Sequence, residues 1–150
     1  IYLMGHSAGS QIAALLALDD RYLNTMNISK EQIHGLIGLS GPYDFLPLGT
    51  DKLRAIFPEE TRPQSQAINF VNDAGPRTLF IHGADDTVVL PRNSKRLAAK
   101  MTEQGTAVTL HLYPDRKHAS ILLALAPRLG FVADTLDDVT RFIDSQDVSL

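Results

Sequence analysis

Short apolar runs alternate along the chain with longer stretches whose apolar residues recur at helical spacing. Residues 1–4 read as the end of a buried strand. Residues 7–18 are predicted as a helix, with Ile12, Leu15 and Leu16 on one face and Ala13, Ala14 and Ala17 permitting close packing. A polar loop to Lys30 leads to a second apolar run, residues 34–39, ended by Ser40-Gly41-Pro42. Residues 43–77 carry prolines at 47, 58, 63 and 76 and predict irregular structure with at most short helical turns. A third strand is expected over residues 78–81, and a helix over 91–104, with Leu97, Ala98 and Met101 as its stripe and Gly105 closing it. Residues 107–113 form a fourth strand, with Val108, Leu110 and Leu112 on one face. The last helix is expected over 131–145, where Val132, Leu136, Val139, Phe142 and Ile143 repeat at helical spacing. Alternation of this kind predicts an α/β fold: about four parallel strands with helical crossovers, in one unit without repeats or linkers.

Composition narrows the function classes. The 150 residues suit one domain, and 14 Lys+Arg against 17 Asp+Glu leave a net charge of −3. That balance, with no basic patch, argues against a nucleic-acid surface. With no cysteine, the chain has no disulfides, no thiol nucleophile and no cysteine zinc site. The longest apolar run, residues 121–126, falls well short of the ~20 residues of a membrane-spanning helix. Because Ile1-Tyr2-Leu3-Met4 begins inside a strand pattern, the chain is read as a part of something longer.

Chemistry enters at Gly5-His6-Ser7-Ala8-Gly9, a G-x-S-x-G between a strand and a helix. Such a turn holds Ser7 at a strained backbone angle with its hydroxyl exposed. Gly5 and Gly9 are expected because a side chain there would collide across the turn, and the Ala8 N–H is aimed to stabilise an oxyanion. A serine needs a base and an orienting acid, which in this architecture follow in the order Ser, acid, His. The acid is sought in His82-Gly83-Ala84-Asp85-Asp86-Thr87-Val88-Val89, at the carboxyl end of the third strand. Asp86 fits the fifth position of H-G-x-x-D; Asp85 is the alternative, and Asp44 a more remote one, better suited to a structural role. Of five histidines, His6 lies inside the elbow, where it lines or supports the pocket, while His34 and His111 in strand runs and His82 at a strand exit suit core or support roles. His118 alone follows the last strand in a polar loop, and it is the expected base.

These stretches resemble the C-terminal half of an α/β-hydrolase. The likeness is to the esterase/lipase branch that includes carboxylesterase-like, feruloyl-esterase-like and kynurenine-formamidase-like enzymes. G-H-S-A-G with its alanine-rich helix, L-S-G-P-Y-D-F-L-P-L (39–48), L-F-I-H-G-A-D-D-T-V-V (79–89) and L-Y-P-D-R-K-H (112–118) carry it. The resemblance implies a partial α/β-hydrolase fold lacking its N-terminal strands, so that residues 1–150 form the C-terminal part of one domain. It implies Ser7 as nucleophile, His118 as general base and acid, and Asp86 as its partner, acting through an acyl-enzyme on a small carboxylic ester. It also implies an H-G-G-type loop supplying the second oxyanion donor from an earlier strand. No Gly-Gly pair occurs in this chain, so the missing half of the domain is an expected partner.

Two other readings stand beside the esterase. One is an arylformamidase-type amide hydrolase, which Ser40 to Asp44 fits equally well. The other is a truncated, non-catalytic fragment that folds with a partner. Tyr43 and Phe45, with Leu46 and Leu48, are candidate pocket residues, with a small core or cap as the plainer alternative. Lys95, Arg96 and Lys100 are expected on a solvated helix face. No metal motif is present, and no cofactor is expected.

Overall fold

The computed structural model describes residues 1–145. Its sheet has four parallel strands, β1 (Tyr2–His6), β2 (Gly35–Leu39), β3 (Thr78–Gly83) and β4 (Val108–Tyr113), in the spatial order β1-β2-β3-β4. Leu3 lies beside Leu36, Ile37 beside Leu79, and Ile81 beside His111. Every residue of β2 and β3 is buried. This is why their sequences read as continuous apolar runs rather than alternating ones.

Helices cover both faces of the sheet. On one side Leu36 and Phe80 pack with α1 (Ala8–Leu18) and α4 (Arg92–Glu103); on the other Ile37, Leu39, Leu79 and Ile81 pack with α5 (His118–Leu123) and α6 (Thr135–Asp144). Strand alternation alone sorts the side chains into these two cores. Each fully buried large aliphatic side chain contributes about 1.5–3 kcal/mol. No helix among the described residues is long and apolar enough to cross a membrane.

The structure revises several expectations. The face of α1 laid on the sheet is Ser10, Ala13, Ala14, Ala17 and Leu18, whereas Ile12 is 59% exposed and Leu15 and Leu16 are half-buried. Small residues let the helix approach closely, so the branched residues point the other way. The expected loop after α1 contains a short helix, α2 (Asp20–Asn24), where Asp19 accepts from the Arg21 N–H at 3.1 Å. That cap forms the helix without any apolar periodicity to announce it. Residues 43–77 hold a short helix, α3 (Asp51–Ile56), and 3₁₀ turns over Glu59–Ser65 and Ala67–Phe70. The final helix starts at Thr135 rather than 131, with Asp137 and Asp138 in its first turn favouring that end of the helix dipole, and Phe131 lies 81% exposed before it. His34 is exposed just ahead of β2 instead of inside it. Of the three cations on α4, Lys95 is exposed, Arg96 pairs with Asp44 at 2.7 Å, and half-buried Lys100 donates to the Ile68 carbonyl.

Candidate active site

The carboxyl ends of β1 and β3 and the loop after β4 bring Ser7, Asp86 and His118 together. Ser7 stands between β1 and α1 with φ +56°, a left-handed backbone that L-residues rarely adopt. Its N–H donates to the Leu39 carbonyl at 2.9 Å, tying the elbow to the end of β2. A Cβ on Gly5 would lie 2.3 Å from the Gly9 carbonyl carbon and oxygen, so glycine is required there. A Cβ on Gly9 would meet nothing within 4 Å, and the collision expected at that position does not occur. The first N–H groups of α1 lack intrahelical acceptors, and that of Ala8 comes directly after the serine.

The Ser7 hydroxyl donates to His118 Nε2 at 2.9 Å, while His118 Nδ1–H donates to Asp86 Oδ2 at 2.7 Å. Asp86 accepting on Oδ2 places the imidazole proton on Nδ1 and leaves Nε2 as acceptor. His118 closes the loop after β4 as the first residue of α5. Buried Ile121, one turn on, fixes that short helix to the sheet.

Asp86 is only 2% exposed. Its Oδ1 accepts from the Val88 and Val89 N–H groups, each at 2.9 Å. Asp85, next to it, is exposed and offers its backbone N–H to the Arg116 carbonyl. Asp44 is committed to Arg96. The structure therefore separates three carboxylates that spacing alone leaves open.

His82, expected in a core or support role, stands at the carboxyl end of β3. Its ring is wholly buried, 2.7 Å from Ser94 Oγ through Nδ1 and 2.8 Å from the Val89 carbonyl through Nε2. Nε2 also lies 3.3 Å from Asp86 Oδ2. Burial pushes the His82 pKa below the ordinary histidine value, so the ring stays neutral, with Nε2–H donating and Nδ1 accepting from Ser94. The four-residue spacing to Asp86 within H-G-x-x-D is the signal that could have found this contact.

Tyr43 is not among the residues that border the cleft beside the elbow. It is fully buried against Phe80, with its hydroxyl 2.5 Å from Ser10 Oγ in the space that Gly38 and Gly41 leave open. Burial pushes its phenol pKa well up. Tyr43 thus ties the loop after β2 to α1, and Asn93 Oδ1 accepts from the backbone N–H groups of Tyr43 and Asp44. Phe45 is half-buried and packs on Phe57 at 5.2 Å between ring centres. Phe57 borders an open cleft of about 460 Å³ beside the elbow, together with Ala8, Gln11, Ile12 and Ser65.

Comparison with known proteins bears on the fold and the family. A probable isoprenylcysteine alpha-carbonyl methylesterase of Arabidopsis thaliana is 26% identical, matching 98% of this chain and 36% of its own length. Among solved structures, the thermophilic esterase Est2 of the planctomycete Thermogutta terrifontis superposes with a TM-score of 0.73 at 19% identity, over 97% of this chain and 54% of the other. A truncated form of a carbohydrate esterase from gut microbiota gives 0.74 at 20% identity, over 95% and 58%. The fold is therefore that of the α/β-hydrolase esterases, and the chain spans about a third to a half of the length of these relatives. The model of the prolyl oligopeptidase family matches residues 1–145. On that match, the chain belongs to the prolyl oligopeptidase family.

Proposed function

We propose that the full-length protein hydrolyses small carboxylic esters through an acyl-enzyme on Ser7. The observation that carries this reading is the unbroken chain from the Ser7 hydroxyl at 2.9 Å to His118 and at 2.7 Å to Asp86, with the serine at a strained elbow. The esterases among the relatives and structural neighbours support the ester over other acyl groups.

In the first half-reaction the Ser7 oxygen attacks the ester carbonyl carbon while its proton passes to His118 Nε2. The carbonyl electrons move to oxygen, and the Ala8 N–H at the start of α1 stabilises that oxyanion. Collapse re-forms the carbonyl and expels the alcohol oxygen, which takes the proton from His118. In the second half-reaction water gives a proton to His118, attacks the acyl carbon and releases the acid, and the proton returns to Ser7. Asp86 keeps its charge throughout, holding the imidazole tautomer and stabilising the imidazolium. Residues 1–150 hold no Gly-Gly loop to supply a second oxyanion donor.

Turnover of p-nitrophenyl acetate and of an aryl formamide by the full-length protein tests the reading. Ester turnover that falls at least about 10⁴-fold in Ser7→Ala supports it. Ester turnover unchanged in Ser7→Ala, or formamide cleaved with the higher kcat/KM, overturns it.

A further inference from the structure

We infer that His6 is a positioning residue for the base. The inference rests on the reading of Ser7 and His118 given above. His6 is the last residue of β1 and the immediate neighbour of Ser7. Its Nε2–H donates to the backbone carbonyl of His118 at 3.1 Å, and the two imidazole rings lie 4.7 Å apart, tilted by 46°. Because a carbonyl only accepts, the proton of His6 sits on Nε2.

The position of this bond gives it its function. His118 follows Pro114, Asp115 and Lys117, all exposed, and Asp115 has φ +55°. The base therefore sits at the end of a loop with little burial of its own. Among the described residues, two side-chain hydrogen bonds join β1 and the elbow to that loop: the reacting Ser7–His118 bond and the His6 bond. The first is broken and remade in each cycle as the proton moves. The second involves no reacting atom and persists, so it keeps the imidazole in register with Ser7 while the reacting bond is open. Strand pairing of β1 with β2 in turn fixes the base of the His6 side chain. Loss of the bond lets the base drift relative to the serine, and a displacement of about 1 Å lowers the rate by about 10²-fold.

The test compares side chains that differ in where they carry a donor. Glutamine carries its amide near the Nε2 position, whereas asparagine reaches only the Nδ1 position; phenylalanine keeps the ring and has no donor. In the full-length protein, His6→Phe and His6→Asn are expected to lower kcat for p-nitrophenyl acetate about 10- to 100-fold with little change in KM. His6→Gln is expected to recover most of kcat. Equal kcat in His6→Gln and His6→Asn, or wild-type kcat in His6→Phe, overturns the inference. Ser7→Ala, assayed alongside, separates the two claims. Unchanged turnover there removes the Ser7 reading itself, whereas a Ser7→Ala that loses about 10⁴-fold beside an unimpaired His6→Phe removes only the role of His6.

Discussion

The loop that carries the acid and the loop that carries the base are built in opposite ways. Asp86 is buried and held within its own loop, by the Val88 and Val89 N–H groups on one oxygen and by His118 and the nearby His82 ring on the other. His82 is itself fixed by Ser94 and the Val89 carbonyl. The base loop has exposed residues at 114, 115 and 117 and borrows its order from neighbours. The Ala84 N–H donates to the Tyr113 carbonyl, the Asp85 N–H to the Arg116 carbonyl, and His6 to His118. The proposed mechanism asks Asp86 to keep one position, which a rigid, polar cradle provides. It asks His118 to exchange protons with Ser7 and with substrate, and the His118 side chain stands nearer the surface, 16% exposed.

Removing the charge from the acid loop has the largest predicted effect. Asp86→Asn loses the carboxylate that sets the His118 tautomer, and kcat is expected to fall about 10⁴-fold. Asp85→Asn, one residue away and exposed, is expected to stay within about threefold of wild type, since its side chain has no part in the chain of bonds. Steady-state kinetics on the pair checks the assignment, and a larger loss in Asp85→Asn would move the acid by one residue.

Next comes the seam between the two loops. A Cβ on Gly83 would stand 2.3 Å from the Arg116 carbonyl oxygen and 2.7 Å from its carbon, both backbone atoms that must shift to admit it. Gly83→Ala is therefore expected to displace the base loop and lower kcat about 10²-fold while Asp86 stays in place. A variant with wild-type kcat would show that the base loop is not held against β3.

Changes deeper in the acid loop should act on stability more than on rate. Ser94→Ala leaves His82 Nδ1 buried without a donor, at a cost of about 1–3 kcal/mol in denaturant unfolding. The neutral state of His82 also has a pH signature. Its folded pKa lies below the unfolded value, so its stabilising contribution is full above about pH 6.5. That contribution is lost as pH falls through the folded value, because the unfolded chain takes up the proton first. Unfolding free energies measured at pH 7.5 and 5.5 should therefore drop less in His82→Gln than in wild type. Equal drops would mean that His82 titrates alike in both states.

Much of this architecture was legible in the sequence because it rests on short-range chemistry. The four strands are continuous apolar runs, and Gly5, Ser7 and H-G-x-x-D mark backbone geometry that few other residues satisfy. What escaped reading depended on contacts across the fold. The inner face of α1 is set by how closely Ala13, Ala14 and Ala17 approach the sheet, not by its largest side chains. Tyr43 follows a strand as a pocket residue would, yet the missing side chains of Gly38 and Gly41 draw it into the core. The helix at His118 is six residues long and held by Ile121, too short to show a period. The His6 bond joins positions that sequence spacing does not relate, and the His82 partners Ser94 and Val89 lie beyond H-G-x-x-D.

One measurement bears most directly on the central claim. The full-length protein is treated with a fluorophosphonate probe and the adduct located by peptide mass spectrometry, with ester turnover followed in parallel. One adduct on Ser7, formed in proportion to the activity lost and absent from Ser7→Ala, is the predicted result. An adduct on another residue, or labelling that survives Ser7→Ala, would contradict the account.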